Sequence, residues 1–244
     1  MAKKTGNDKL FDINKFSEDE GIVLFCISMS RIGNAQSPQK CFEYLHHLAS
    51  KIEYTNGIGL VFLYGDYLYL QSDQPAFVLR SRFLGQMVVH RNALMKLLRK
   101  DRKWTLRCFS YKTFGQLILD NAVAFQSAMK AVHELYKKDL TFKKHVQDDC
   151  LDTGHQVGER EVDFILEEIA ALYLAQKGVL KLDNKFILDS EVKWILQVYP
   201  GKPLKSEIYL FQKNPLKLSN PKNVYENSFY DLEEQVLYDY LKEC

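Results

Sequence analysis

The feature that most constrains this chain is a short unbroken apolar run, Ile22-Val-Leu-Phe-Cys-Ile27, closed by Ser28. Six consecutive β-prone apolar residues leave no side for water, so a strand made of them must be covered on both faces. Strands of that kind lie inside parallel sheets, with crossover helices above and below. Similar runs recur at residues 59–70, at Trp104 to Phe109 and at Val192 to Val198. The first of these fits one long strand or two short ones around Gly65-Asp66. A loop with Gly33, Asn34 and Pro38 follows the opening strand, and Phe42, Leu45, Leu48 and Ile52 then fall at helical spacing. A long helical stretch is predicted over 76–103, two helices over 112–150, and another from near Gly158, where Glu159 and Glu161 suit the positive end of the helix dipole. The last run ends at Tyr199-Pro200-Gly201, because proline cannot donate to a ladder and glycine permits a sharp turn. Strands alternating with helices predict an α/β fold with a mainly parallel central sheet flanked by helices. With no internal repeat and no Pro/Ser/Gly linker, the expected organisation is a polar N-terminal segment at 1–20 and one domain at 21–244.

Composition narrows the class without naming a chemistry. At 244 residues, 46% hydrophobic and 26% charged, the chain is neither disordered, collagenous nor a disulfide scaffold. Its five cysteines, Cys26, Cys41, Cys108, Cys150 and Cys244, are irregularly spaced with no CxxC pair, as expected of reduced thiols. A polar N-terminus and the lack of a long apolar run predict a soluble, cytoplasmic protein. The six histidines are scattered, so no metal site is expected, and no GxGxxG, GxxxxGK[ST], HExxH or GxSxG motif occurs.

Chemistry in parallel α/β sheets gathers at the carboxyl ends of the strands. Ser28 and Tyr199 occupy two such ends and are the leading candidates, Ser28 as a nucleophile. Ser30 competes with it two residues on, and the plainer roles are a strand cap for Ser28 and a core seal for Tyr199. The pair Glu167-Glu168 lies among Phe164, Ile165, Ile169 and Leu172, so one of the two should lean toward the buried side. A carboxyl held there has a raised pKa and can move protons near neutrality.

The formal charge of +2 hides two opposed regions. Residues 80–112 hold ten basic residues against Asp101 alone, while 146–191 hold eleven acidic and four basic. Leu84, Met87, Val88, Leu94, Leu97 and Leu98 supply an apolar face to the first region, which puts its basic charge on the solvent side of a helix. A one-signed basic face attracts a phosphate backbone through counterion release.

Leu24-Phe-Cys-Ile-Ser28, Phe164-Ile-Leu-Glu-Glu168 and Val198-Tyr199-Pro200, together with the basic helix, resemble the tRNA-dependent cyclodipeptide synthases over roughly residues 20–210. The resemblance implies a single Rossmann-like domain, similar to the catalytic domain of class Ic aminoacyl-tRNA synthetases, working without ATP, metal or other cofactor. It implies two aminoacyl-tRNAs as substrates, a cyclic dipeptide (2,5-diketopiperazine) as product, and a ping-pong reaction through an acyl-enzyme on Ser28. Glu168 would hold the amino acid's ammonium and assist proton movement, and Tyr199 would position substrate for cyclisation. Leu24, Cys26, Phe164, Ala171 and Gln197 would line the first amino-acid pocket, and the polar Gln197 hints at a polar or small side chain. Arg91, Lys96, Arg99, Lys100, Arg102 and Lys103 would carry the tRNA. Arg31 and Pro200 fit the branch of the family with Tyr-Pro, whereas Phe164 stands where a tyrosine is common. A monomer is expected. The competing expectations are a non-catalytic RNA- or tRNA-binding α/β module, and a hydrolase or transferase acting on a small acyl substrate.

Overall fold

A computed structural model describes residues 21–51, 58–65, 76–100, 109–152, 154, 156–180, 182, 194–219, 223 and 225–242. Strand β1 (Gly21–Ser28) is buried along its whole length except at Ser28, as its unbroken apolar sequence requires. Helix α1 (Pro38–Lys51) leads to β2 (Ile58–Gly65), and α2 (Ala76–Leu98) to β3 (Phe109–Thr113). Three helices follow: α3 (Phe114–Asp120), α4 (Ala122–Lys138) and α5 (Leu140–Asp152). Then come α6 (Glu159–Gln176), β4 (Trp194–Tyr199), α7 (Lys205–Lys213), β5 (Ser228–Asp231) and β6 (Val236–Asp239).

The strands form one six-stranded sheet in the order β3-β2-β1-β4-β5-β6. All neighbouring pairs are parallel except the last, β5 with β6. The chain first winds outward from β1 through β2 to β3, then restarts on the other side of β1 with β4. That reversal opens a crevice beyond the carboxyl ends of β1 and β4, the usual place for a ligand in an open parallel sheet.

Alternation along the strands divides the core in two. Ile22, Leu24, Cys26, Val61, Leu63, Ile195 and Phe229 face the layer of α3 to α7. Val23, Phe25, Ile27, Phe62, Tyr64, Leu196, Val198 and Tyr230 face the layer of α1 and α2. Gly21 lies beside Trp194, its partner in register, and a Cβ there would stand 1.9 Å from the indole ring. Only glycine admits that approach.

Several expectations need revision. Residues 112–150 hold three helices, not two, because Thr113 caps an extra short one by accepting from the Gln116 amide. The third strand is described from Phe109 to Thr113, later than its apolar run, and residues 104–108 lie outside the described residues. Helix α2 rests on the core through Phe83, His90, Leu94 and Leu98, while Leu84 and Val88, expected to be buried, are 49% and 39% exposed. His90 can fill an apolar slot because both its ring nitrogens are hydrogen-bonded, to Tyr64 and to the Gln36 carbonyl. Lys112 is also withdrawn from the basic surface: it is buried and pairs with Asp120 at 3.2 Å. Among the described residues, no helix is long and apolar enough to cross a membrane.

Candidate active site

Ser28 sits at the end of β1, where the strand gives way to a turn fixed from both sides by one side chain. Gln36 accepts from the Ser28 amide at 2.7 Å and donates to the Cys26 carbonyl at 2.8 Å, bridging two backbone groups of β1 from a fully buried position. The backbone carbonyl of Gln36 in turn receives the His90 ring N–H at 2.8 Å, and the other His90 nitrogen accepts from Tyr64. Burial holds His90 below its ordinary pKa, so the ring stays neutral and serves as a fixed spacer. The turn after Ser28 is therefore tied to α2 through Gln36 and His90.

The hydroxyl of Ser28 lies 2.9 Å from that of Ser30, so the two candidates share one hydrogen bond. Tyr199, ending β4, reaches the Ser28 hydroxyl from the next strand. Burial pushes the Tyr199 phenol up to about 12, against the opposing pull of Arg31 and the Ser28 contact. It is thus a neutral donor at physiological pH. Arg31 closes the group: its guanidinium donates to the Pro200 carbonyl at 2.8 Å and lies 5.3 Å from the Tyr199 ring centre. Gly201 turns the chain away at a φ of 132°, a conformation that favours glycine. Its amide donates to the buried Asp231, which also receives the Glu233 and Glu234 amides.

Helix α6 supplies the acid. Of the pair Glu167-Glu168, it is Glu168 whose charge reaches Cys26, Tyr199 and Glu207. Glu167 instead feels Asp163 on its own helix. Burial, and then Asp149, push the Glu168 carboxyl up to about 7. Such a group exchanges a proton near neutrality at little cost. Phe164 and Ala171 lie one turn to either side of it, Phe164 packed against the core and Ala171 buried.

Below Ser28 on the same face come Cys26 and Leu24, both buried. Burial, followed by Glu168 and Glu207, raises the Cys26 thiol well above its ordinary value, which keeps it a neutral thiol. Gln197 is level with Leu24 in the ladder and is 2% exposed. Its amide donates to Glu207 at 3.0 Å, so it does not stand alone as a polar lining residue. Glu207 also accepts from Tyr240 at 3.0 Å, and burial pushes its carboxyl up to about 8. Asp149 completes this acidic floor, accepting from the Lys205 and Ser206 amides at the start of α7.

Arg91 and Lys96 lie on α2, and Arg99 and Lys100 in the turn after it. Lys96, Arg99 and Lys100 are exposed, while Arg91 lies over the Tyr111 ring at 5.6 Å. They flank the sheet face opposite to Glu168, and Arg99 is nine residues beyond His90, about 13 Å along the helix. Arg102 and Lys103 lie outside the described residues. Among the described residues, no group of three or more His, Cys, Asp or Glu could hold a metal ion.

Sequence reasoning missed Glu207, Tyr240, Asp149 and Gln36, and used Arg31 only as a marker. Glu207 and Asp149 lie on helices where a single acid reads as a wet face. Only the juxtaposition of α5, α6 and α7 reveals them.

No protein-family model and no curated protein matches the sequence. Solved structures do. A CDPS (cyclodipeptide synthase) from Staphylococcus haemolyticus is similar at a TM-score of 0.56 and 11% identity, over 84% of this chain and 87% of that one. A cyclodipeptide synthase from Bacillus thermoamylovorans gives 0.54 and 13%, over 84% and 86%. A Mycobacterium tuberculosis protein, whose structure relates cyclodipeptide synthetases to type I tRNA synthetases, gives 0.51 and 15%, over 83% and 82%. At these identities the likeness establishes a fold: a Rossmann-like α/β domain of the kind seen in solved cyclodipeptide synthases.

Proposed function

We propose that this protein is a tRNA-dependent cyclodipeptide synthase. The observation that carries the reading is the convergence of Ser28, Tyr199 and Glu168 at one crevice, in a fold shared with solved cyclodipeptide synthases. A module that only binds RNA has no use for a serine, a neutral phenol and a carboxyl poised near neutrality at the same point.

In the first half-reaction, the Ser28 oxygen attacks the carbonyl carbon of an aminoacyl-tRNA. The new bond joins the serine oxygen to that carbon, the bond to the terminal ribose breaks, and the serine proton ends on the departing ribose oxygen. The ester is already activated, so neither ATP nor a strong base is needed. Ser30 and Tyr199, both within reach of the Ser28 hydroxyl, offer the path for that proton. Glu168 holds the ammonium of the bound amino acid and takes its proton when the amine must become a nucleophile. The cyclic product needs two amide bonds. One forms when the amine of the second aminoacyl-tRNA displaces Ser28, the other when the first amine displaces the second tRNA. Each displacement returns a hydroxyl, so no redox partner enters. Tyr199 and Arg31 shape the crevice over this closure.

Lys96, Arg99 and Lys100 hold tRNA phosphates. They lie across the sheet from Glu168, so the RNA spans from the flank of α2 to the crevice. The 21–244 segment acts as one catalytic domain, in the Tyr-Pro branch of the family.

The test is mass spectrometry of the medium of a bacterial host expressing the protein, and of reactions with a full set of charged tRNAs. Diketopiperazine is expected in both. With Ser28→Ala, product and covalent adduct should fall by about a thousandfold or more while the fold is kept. No diketopiperazine from the wild type sinks the reading, and full activity in Ser28→Ala moves the nucleophile to Ser30.

A further inference from the structure

The sheet face that carries Ser28 and Tyr199 continues below Cys26. Ile195, Gln197 and Tyr199 alternate onto one face of β4, so Gln197 points to the same side as the tyrosine two residues above it. It is level with Leu24, four residues below Ser28 on β1, which puts it about 13 Å down the strand axis from the nucleophile. Between the two levels lie Leu24, Cys26 and Ala171, all in the apolar layer under α6. At the bottom the character changes. One oxygen of Glu207 accepts both the Gln197 amide and the Tyr240 hydroxyl, and all three residues are buried.

Two features of this cluster ask for a further donor. The carbonyl oxygen of Gln197 is buried and has no hydrogen-bond partner. Two other acids act on Glu207: the charges of Glu168 and Asp149 both raise its carboxyl. A purely structural knot would be served as well by a neutral amide at 207, without the cost of burying a carboxyl next to two others. An orphan acceptor beside a cluster of acids fits a ligand that brings both N–H donors and positive charge.

We propose that Gln197, Glu207 and Tyr240 form the end of the pocket for the first amino acid's side chain and select a basic amino acid, lysine or arginine. The inference rests on the synthase reading above and deepens it. The depth of the cluster suits the longest side chains and leaves short polar ones such as serine or asparagine far from it. The apolar walls take the methylene stem, and the buried acid takes the charged end. Gln197 supplies its carbonyl to a second N–H and, through its own amide, fixes the Glu207 carboxyl in place.

The experiment is product profiling of the wild type, Glu207→Gln and Glu207→Leu, with each charged tRNA supplied in turn and intact-mass detection of the acyl-enzyme. The wild type is expected to form its Ser28 adduct with lysyl- or arginyl-tRNA and to release diketopiperazines containing that residue. Glu207→Gln, isosteric and able to keep both hydrogen bonds, should lose at least tenfold in the basic product. Glu207→Leu should move the products toward apolar amino acids. If Glu207→Leu does not fold, Glu207→Gln carries the test alone. Wild-type diketopiperazines with only apolar or small side chains overturn the inference while leaving the synthase reading intact. So does an unchanged product distribution in folded Glu207→Gln. Absence of any diketopiperazine overturns both.

Discussion

Gln36 holds the turn after Ser28, although it makes no contact that a sequence pattern announces. Its side chain satisfies the Ser28 amide and the Cys26 carbonyl, two backbone groups at the end of a strand where the ladder can no longer serve them. Gln36→Leu keeps the volume and removes both bonds. It should cost about 2–3 kcal/mol in denaturant unfolding. Product formation should fall more than the loss of folded protein explains, since the serine loses its fixed direction. Equal losses would make Gln36 a structural residue only. The strand-end positions of Ser28 and Tyr199 were legible in the sequence because unbroken apolar runs mark buried strands. Gln36, Glu207 and Tyr240 were not, because their meaning arises from contacts across the sheet. Glu207 pairs with a residue 33 positions on and lies in a helix whose sequence, Lys205-Ser-Glu207, reads as solvated surface.

At the scale of elements, α2 has the most to explain. It is a helix with one sign of charge, bound to the core by Phe83, His90, Leu94 and Leu98 and bearing Lys96 outward, with Arg99 and Lys100 in the turn beyond it. Replacing Lys96, Arg99 and Lys100 by glutamine should weaken tRNA binding and lower the slope of log K against log salt by about 2–3, near one unit for each phosphate that is no longer neutralised. Filter binding at a series of salt concentrations measures it, and an unchanged slope would assign this face to solvent. The helix itself was readable from its spacing, but its apolar stripe was misplaced. Composition cannot say that a histidine, neutral and bonded at both nitrogens, takes the core position while Leu84 and Val88 face out. The parallel strands β1 and β4 were equally readable. The short final strands β5 and β6 were not, since four residues carry too little pattern to separate a strand from a loop.

For the whole molecule, two carboxyls with raised pKa values contribute to how stability responds to pH. Glu168 and Glu207 have carboxyls raised from 4.5 to about 7 and about 8 by burial. Between those limits the folded chain binds more protons than the unfolded one. The unfolding free energy therefore falls as pH rises through the window. These two groups contribute fully below about pH 4.5, and the contribution is lost by about pH 8–9. The melting temperature is expected to be lower at about pH 9 than at about pH 6, and Glu207→Gln should flatten the decline. A profile with the opposite slope over this range would mean that both acids are ionised when folded. Holding these two carboxyls away from water thus carries a standing cost, offset by the apolar layers on both faces of the sheet.

The pairing of β1 with β4 joins parts of the chain 169 residues apart at the Arg31–Pro200 contact. Closing so long a span is entropically unfavourable until the intervening helices have packed. During synthesis Ser28 precedes Glu168, Tyr199 and Glu207, and it stays without them until the intervening helices and β4 have been made. A chain in which β1 and β4 have not paired therefore holds Ser28 apart from the phenol and carboxyl that stand near it in the folded protein. The topology that makes the crevice also times its appearance.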